Sequence, residues 1–369
     1  MERPNKSNLI AIDVARAIAS LSVFFYHLHL GGLLTKYTKL HFFVYFDFFG
    51  ATYSVPLFFL ISGYCIHLSN LKYIKTGSPL PVLIYFKRRF WRIFPPYLLA
   101  LAFPILSNRI TNYVPNSNMY DIFVHIFCLQ GYTTNYFNTV NLVFWTISIE
   151  IAFYVLYPLF YYVRLRFNLP TAMISVFIIS LSSIVYFSFQ KNTSNPQFYF
   201  VGNIWLAWCS GAYLADKLFF EPMAFNKLKF KLLYVLFLLF AIVLHHFKSQ
   251  SFLLIHYQFK ILVWTGPLVY ILSKELWLKQ QESLLLNLLI YCGLSSYSLY
   301  LLHEPLIFLK NYIVKVIVPP YLSQLAFVIG VFIVPIIAWL NYRYVEKPFI
   351  NISTKLKSKP AHFSKPIGN

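Results

Sequence analysis

Three ionisable side chains, Asp13, Arg16 and His27, lie within one apolar segment near the start of the chain, Ile10–Leu28. Asp13 and Arg16 are three residues apart and are therefore neighbours on a helix. Arg16 and His27 are eleven apart, which places them within about 20° of one helical face and about 16 Å apart along the axis. Such groups are costly at membrane depth, so the stripe is a candidate functional site, although a pair that only locks the bundle fits equally well.

A second group of cations lies at the start of the third predicted helix, where Lys87, Arg88, Arg89 and Arg92 fall within six residues. Arg89 and Arg92 are three apart and share a helical face. Guanidinium groups on such a face are suited to phosphate and pyrophosphate, which they bind bidentately. Membrane topology alone explains Lys87 and Arg88 about as well, but it explains Arg92 less well, because Arg92 already lies within the apolar run.

The third candidate is Glu150, the only acid in the predicted helix Val143–Tyr162. From its position in that helix, Glu150 is expected at a depth comparable to that of His27. A carboxylate near an imidazole sets its tautomer and supports it as a general base. The alternative is that Glu150 pairs with an arginine or with water.

Two further motifs carry weaker signals. Ser62 and Gly63 interrupt the second predicted helix, where the glycine would permit close helix packing. His303 begins the ninth predicted helix, where a structural or substrate-contact role is more common than that of a second catalyst. Arg343 and Glu346 close the tenth predicted helix and are interpreted as a structural pair.

Composition defines the class of protein that must position these residues. Of 369 residues, 59% are hydrophobic and 11% are charged, which excludes a soluble globular chain and predicts an all-α polytopic membrane protein. The net charge of +20 lies mostly between apolar segments, a pattern typical of membrane topology and not of nucleic-acid binding. No disulfide framework or metal site is expected from the spacing of the four cysteines, Cys65, Cys128, Cys209 and Cys292.

Hydropathy predicts about ten spanning helices. They run approximately over Ile10–Leu28, Phe48–Leu68, Phe90–Leu106, Val143–Tyr162, Ala172–Phe189, Phe198–Leu214, Leu232–His246, Phe259–Leu276, Leu294–Ile313 and Leu322–Tyr342. Between the third and fourth lies a polar connection whose apolar piece, Ile122–Leu129, is too short to span and is expected to be interfacial or re-entrant. Residues 1–349 would form the transmembrane domain, and residues 350–369 a basic, disordered cytoplasmic tail.

The distribution of Lys and Arg predicts the orientation. Of the 31 such residues, 22 fall in segments that face the cytoplasm if the N-terminus is inside, and 8 fall in the opposite segments. This bias predicts that both termini are cytoplasmic. Arg16 would then lie nearer the cytoplasm, and His27 near the outer face.

Six motifs occur in a fixed order between about Leu9 and Phe349, and together they resemble the membrane acyltransferase-three family. They are Arg16-x10-His27, Phe58-Phe-Leu-Ile-Ser62-Gly63-Tyr64, Arg89-x-x-Arg92 before Pro95, Trp145…Glu150…Phe153-Tyr154, Tyr297-Ser-Leu-Tyr300…His303 and Tyr342-Arg-Tyr-Val-Glu346-Lys-Pro-Phe349. The resemblance implies O-acylation, usually acetylation, of extracytoplasmic sugars such as O-antigen or exopolysaccharide by a multi-pass protein of the bacterial inner membrane. The donor would be acyl-CoA, with no tightly bound cofactor. The other expected partners are a carbohydrate acceptor and the lipid bilayer.

The resemblance makes the histidine matching His27 the catalytic group and associates the arginines matching Arg16, Arg89 and Arg92 with acyl-CoA. The candidate residues then form three groups. The candidate catalytic residues are His27, Glu150 and Arg16. The candidate acyl-CoA contacts are Arg89, Arg92, Arg88, Ser62 and Gly63. The candidates for acceptor contact or structure are Asp13, Trp145, Tyr154 and His303.

Two other classes of function stay open at this point. A transporter or glycan flippase would favour inverted repeats and broken midplane helices, which are not detected in the sequence. A non-enzymatic partner in a glycan-synthesis complex would need none of these ionisable groups in register.

Longer members of the resembled family carry an added extracytoplasmic hydrolase-like domain, so the membrane bundle is expected to handle donor and acceptor alone. Whether His27 acts as a general base or becomes acylated itself is left open.

Overall fold

The computed structural model describes residues 9–111, 118–190, 194–226, 228–245 and 250–356. These ranges contain α-helices, short 3-10 and π-helical turns and no β-strand, which confirms the all-α class. The first nine helices are α1 (Ile10–His27), α2 (Leu30–Thr38), α3 (Val44–Lys75), α4 (Val82–Thr111), α5 (Met119–Ile126), α6 (Trp145–Arg166), α7 (Leu169–Ser188), α8 (Asn195–Phe198) and α9 (Val201–Phe220). The others are α10 (Leu228–His245), α11 (Gln250–Val263), α12 (Thr265–Ser273), α13 (Glu275–Gln280), α14 (Leu284–Leu294), α15 (Ser296–Val316), α16 (Ser323–Asn341) and α17 (Lys347–Lys355).

Within the described ranges, six helical segments are long and apolar enough to cross a membrane. The pair formed by α14 and α15 makes a seventh if its two helices, bent by 78°, count as one span. The protein is therefore a helical membrane protein, but the predicted count of ten spans is not reproduced. The six segments are Ile10–His27, His41–Lys75, Val82–Thr111, Trp145–Arg166, Leu169–Ser188 and Val328–Lys355.

Two of the three remaining predicted spans differ from simple crossing helices for physical reasons. Helix α9 has the length of a span, but it buries the polar side chains of Asn203 and Asp216 and is largely enclosed by other helices. The predicted eighth span is divided into three helices by breaks at Trp264 and Lys274. The third, Leu232–His246 on α10, falls partly outside the described residues, and the apolar stretch described there is Phe230–Leu239.

Helices α3 and α9 pack closely at the centre of the bundle because glycines lie at their crossing. A Cβ atom on Gly63 would stand 2.0 Å from the carbonyl oxygen of Trp208. A Cβ atom on Gly211 would stand 2.1 Å from the carbonyl oxygen of Leu60. Since real side chains cannot approach so closely, both positions require glycine, as the sequence analysis expected for Gly63.

Helix α1 is fixed from two sides. The backbone N–H groups of Ile10 and Ala11 donate to the carboxylate of Glu275, at 3.1 and 2.8 Å, which satisfies otherwise unpaired donors at the start of the helix. On the adjoining turn, Gly293 of α14 lies directly against the backbone of Asp13. These contacts set the position of the helix that carries Arg16 and His27.

The C-terminal elements close the side of the bundle that is predicted to face the cytoplasm. A π-helical turn, Tyr342–Glu346, joins α16 to α17. The Arg88 guanidinium donates to the carbonyl oxygen of Leu356 at 2.7 Å, and the Ser353 hydroxyl donates to the carbonyl oxygen of Arg88. The helix thus continues past the predicted domain boundary at residue 349, and residues 357–369 of the predicted tail lie outside the described residues.

Candidate active site

A cavity of about 510 Å³ lies between α1, α3, α4, α6 and the segment that begins α15. Residues far apart in the sequence meet on its walls, because the helices that carry them converge in the bundle. Its charged lining consists of Arg16, Arg89, Arg92, Asp13, Glu150 and Glu346. The three arginines that the sequence singled out are therefore brought together around one space.

Arg92 makes no direct polar contact within the described residues. It has no hydrogen bond or ion pair there, although the negative charge of Glu346 acts on it as well as the positive charges of Arg16 and Arg89. Arg92 lines the cavity, and its guanidinium carries five N–H donors.

Arg89 is held loosely beside Arg92. It donates to the Ser69 hydroxyl at 3.3 Å, while its Nε atom is buried without a partner. Its guanidinium lies 5.7 and 5.8 Å from the ring centres of Tyr85 and Tyr154, within the range of cation–π attraction. The aromatic rings thus orient Arg89 without using up its hydrogen-bond donors.

Arg16 reaches the cavity from α1, whereas the other two arginines lie on α4. The distance from its Nη1 atom to Asp13 Oδ1 is 3.7 Å, and its Nη2 atom lies 3.5 Å from Cys65 Sγ. The predicted Asp13–Arg16 pair therefore exists, but it is a single long contact. Arg16 is part of the cavity lining.

Glu150, which also lines the cavity, accepts hydrogen bonds from two hydroxyls. Its Oε1 atom accepts from the hydroxyl of Ser62 and, at 2.6 Å, from that of Tyr154. The Trp208 indole N–H donates to the same Ser62 hydroxyl at 3.1 Å. No hydrogen bond joins Glu150 and His27 among the described residues. The structure therefore does not show the expected contact between this carboxylate and the imidazole. Each of the two has other partners because they line different parts of the bundle.

His27 lies at the end of α1 beside a second histidine. Its Nδ1 atom is 3.0 Å from the carbonyl oxygen of Val23 and 3.1 Å from His303 Nε2. The two imidazole rings are 4.9 Å apart between centres. Sequence reasoning identified both histidines but missed this pairing, since no local pattern links residues 276 positions apart.

Tyr300 lies between the cavity and the histidine pair. It lines the cavity, and its ring centre is 5.9 Å from that of His303. Its hydroxyl is bonded to the hydroxyl of Thr146 at 2.9 Å, and its ring packs edge-on against Phe58. Tyr300 and Phe58 thus form an aromatic layer. A ligand that reached from the arginines to His27 would pass this layer.

Besides His27 and His303, three further candidates from the sequence do not line the cavity. The side chain of Arg88 bonds to the end of α17, and Gly63 packs against α9. Trp145 stacks on Phe137 and Tyr199 with ring-centre distances of 5.2 and 4.2 Å. The structure therefore gives each of them a packing or tethering contact.

A separate polar cluster lies outside this cavity lining. Arg164 donates to both carboxylate oxygens of Asp216, at 2.7 and 3.1 Å. His67 is fully buried, with Nε2 3.1 Å from Asp216 and Nδ1 3.1 Å from the Tyr157 hydroxyl. This closed cluster ties together α3, α6 and α9.

Comparison with known proteins identifies the class to which this bundle belongs. A family model described as an acyltransferase domain, acyltransferase-three, matches residues 9–342. The chain therefore belongs to the acyltransferase-three family. The match includes the helices that carry Arg16, His27, Arg89, Arg92 and Glu150, as the resemblance of the motifs predicted.

Particular relatives are O-acetyltransferases by name. The chain is 25% identical over 364 residues to O-acetyltransferase OatA of Staphylococcus aureus strain NCTC 8325, covering 92% of this chain and 57% of OatA. It is also 25% identical over 371 residues to a protein of S. aureus strain COL named "Putative O-acetyltransferase SACOL0978", covering 92% of this chain and 56% of that protein. The chain thus spans a little over half the length of these curated relatives. No solved structure matches it.

Proposed function

We propose that this chain is an O-acyltransferase, most simply an O-acetyltransferase, that takes its acyl group from cytoplasmic acyl-CoA and delivers it to a hydroxyl of an extracytoplasmic glycan. The observation that carries the proposal is the set of three arginines around one cavity, Arg16, Arg89 and Arg92, in a chain of the acyltransferase-three family. The names of its relatives support transfer of an acetyl group to oxygen.

The unpaired donors of Arg89 and Arg92 support a phosphate-bearing donor. A buried guanidinium without a partner is costly, and that cost is offset when an anion binds. The diphosphate of a nucleotide thioester presents several oxygens to the N–H donors of a guanidinium group, and each of these charge-assisted hydrogen bonds is strong. The two arginines would therefore hold the nucleotide end of acyl-CoA at the side of the bundle predicted to be cytoplasmic.

The length of α1 supports a path for the rest of the donor. Arg16 and His27 are separated by about 16 Å along the helix axis, a distance suited to an extended pantetheine arm. Ser62, Tyr154 and Glu150 supply hydrogen-bonding groups along this path. The aromatic layer at Tyr300 would exclude water from the thioester, which limits its wasteful hydrolysis.

His27 is the group we assign to the chemistry, because its Nε2 atom makes no hydrogen bond to the described residues. In the general-base route, His27 Nε2 takes the proton of the acceptor hydroxyl while the oxygen bonds to the thioester carbonyl carbon. The carbon–sulfur bond then breaks, and the departing thiolate of CoA receives the proton from His27. The products are an ester and free CoA, and the imidazole returns to its starting state.

The proposal is tested with purified protein in lipid nanodiscs supplied with radiolabelled acetyl-CoA and an oligosaccharide acceptor. We expect release of free CoA that depends on the acceptor, together with label in alkali-labile ester linkage on the sugar. A protein that moves glycan across a bilayer without consuming acetyl-CoA would instead be a transporter, and this result would overturn the proposal.

A further inference from the structure

We infer that His303 is a positioning residue for His27, which fixes the tautomer of its imidazole so that Nε2 is the basic nitrogen. This inference rests on the proposed function, because it concerns how the same transfer is carried out. It comes from two hydrogen-bonded contacts on opposite sides of one buried ring. Neither contact is visible in the sequence.

The first contact determines where His303 carries its hydrogen. Its Nδ1 atom lies 3.0 Å from the carbonyl oxygen of Leu299 and 2.9 Å from that of Tyr300. Carbonyl oxygens only accept, so Nδ1 must carry the hydrogen and donate. His303 is 1% exposed and no carboxylate hydrogen-bonds to it among the described residues, so a charged imidazolium is disfavoured there. Its Nε2 atom is then a bare acceptor.

The second contact passes this constraint to His27. Nδ1 of His27 faces two acceptors, the bare Nε2 of His303 at 3.1 Å and the carbonyl oxygen of Val23 at 3.0 Å. If Nδ1 of His27 lacked a hydrogen, three lone pairs would face one another in a largely buried site. Nδ1 therefore carries the hydrogen and shares it between the two acceptors. The other nitrogen, Nε2, is left with its lone pair for the reaction.

The same contact stabilises the charge that develops during transfer. When Nε2 of His27 takes the proton of the acceptor hydroxyl, the ring becomes an imidazolium whose Nδ1–H group donates more strongly. His303 receives this bond without changing its own protonation, since its Nδ1–H group is already held by two carbonyl oxygens. A carboxylate plays the corresponding part in the triad of serine hydrolases. Here a neutral imidazole, anchored by the backbone of α15, takes that place.

A pair of variants of similar size separates positioning from structure. In His303→Gln the side-chain carbonyl oxygen still accepts from His27, whereas in His303→Leu no acceptor remains. In nanodiscs, we expect His303→Leu to lower kcat about 3- to 10-fold with the KM for acetyl-CoA unchanged, which corresponds to one lost neutral hydrogen bond. We expect His303→Gln to stay within about twofold of the parent protein. Equal activity of the two variants, whether high or low, would overturn the inference.

A measurement on the unmutated protein keeps the inference testable even if His303→Leu fails to fold. Histidine labelled with nitrogen-15 is incorporated, and the signals of His27 are identified by their loss in His27→Asn. We expect Nδ1 at the chemical shift of a protonated nitrogen and Nε2 at that of a bare one, and the reverse assignment would contradict the inference. Failure of the proposed function is distinct, because the parent protein itself would then not transfer the acyl group.

Discussion

The cluster of His67, Arg164 and Asp216 and the arginine-lined cavity are both built from charged side chains inside the helical bundle. In the cluster, Arg164 forms a two-point bond with Asp216, and both nitrogens of His67 have partners. In the cavity, Arg92 has no partner within the described residues, and Arg16 has one long contact to a carboxylate.

We interpret this difference as one between charges that stabilise the fold and charges that are available to bind a ligand. Burying a charge is costly unless it is paired, so a purely structural arginine is expected to find its carboxylate, as Arg164 does. Arg92 has no such direct partner among the described residues, and we propose that an anion bound in the cavity supplies one. The same contrast holds for the histidines. Both ring nitrogens of His67 have hydrogen-bond partners, whereas Nε2 of His27 has none among the described residues.

Replacement of His27 should give the largest effect. We expect His27→Ala to abolish transfer of acetyl from acetyl-CoA to the acceptor while the protein still inserts and accumulates, because the proposed reaction loses its general base. The matched variant, His67→Ala, should lower the thermal midpoint but keep the kcat of the folded protein. Near-normal transfer by well-expressed His27→Ala would remove His27 from the mechanism.

Replacement of Arg92 should give the next largest effect. Loss of a charge-assisted phosphate contact costs about 1.5–3 kcal/mol, so Arg92→Ala should weaken acetyl-CoA binding about 10- to 100-fold. Arg89→Ala should have a smaller effect, since one Arg89 donor is already bonded to the Ser69 hydroxyl. Binding is measured by titration with the non-hydrolysable thioether analogue of acetyl-CoA.

The control for these two variants is Arg166→Ala, which removes an exposed cation at the end of α6, outside the cavity lining. It lowers the net charge by the same amount, so any general electrostatic effect would appear in all three variants. We expect donor affinity in Arg166→Ala to match that of the parent protein. Unchanged affinity in Arg92→Ala, Arg89→Ala and their double mutant would place the donor elsewhere.

Replacement of Glu150 should give the smallest effect. Two variants separate the role of its hydrogen-bond acceptor from the role of its negative charge. Both hydroxyls donate to the same Oε1 atom, which Glu150→Gln retains and Glu150→Leu removes. We therefore expect transfer rates near the parent value for Glu150→Gln, and a severalfold lower rate for Glu150→Leu. If Glu150→Gln instead shifts the pH–rate profile, the carboxylate does act on the imidazole, as the sequence suggested.

Local patterns in the sequence were sufficient for much of the fold. The spans around α1, α3, α4, α6 and α7 follow from continuous apolar runs, which the membrane requires. The break between α14 and α15 was not predicted, because an apolar run has the same hydropathy whether it is straight or bent by 78°. The enclosed position of α9 depends on its neighbours and is likewise not a local property.

The site was predictable in its residues but not in its contacts. Spacing along α1 and α4 identified Arg16, His27, Arg89 and Arg92, since partners three or eleven residues apart share a helical face. The contact between His27 and His303 joins distant segments. It arises only when α15 packs against α1, so no local pattern favours it over a contact between His27 and Glu150.

The most direct test of the proposed mechanism is to supply the two substrates on opposite sides of a membrane. The mechanism requires that the arginine-lined cavity takes the donor from one side and that His27 meets the acceptor near the other. The protein is reconstituted in sealed vesicles of known orientation, with radiolabelled acetyl-CoA on the side predicted to be cytoplasmic and a membrane-impermeant oligosaccharide on the other. We predict ester-linked label on the oligosaccharide while the vesicles remain sealed, and none when the two substrates exchange sides. Label formed only when both substrates share one side would contradict the account.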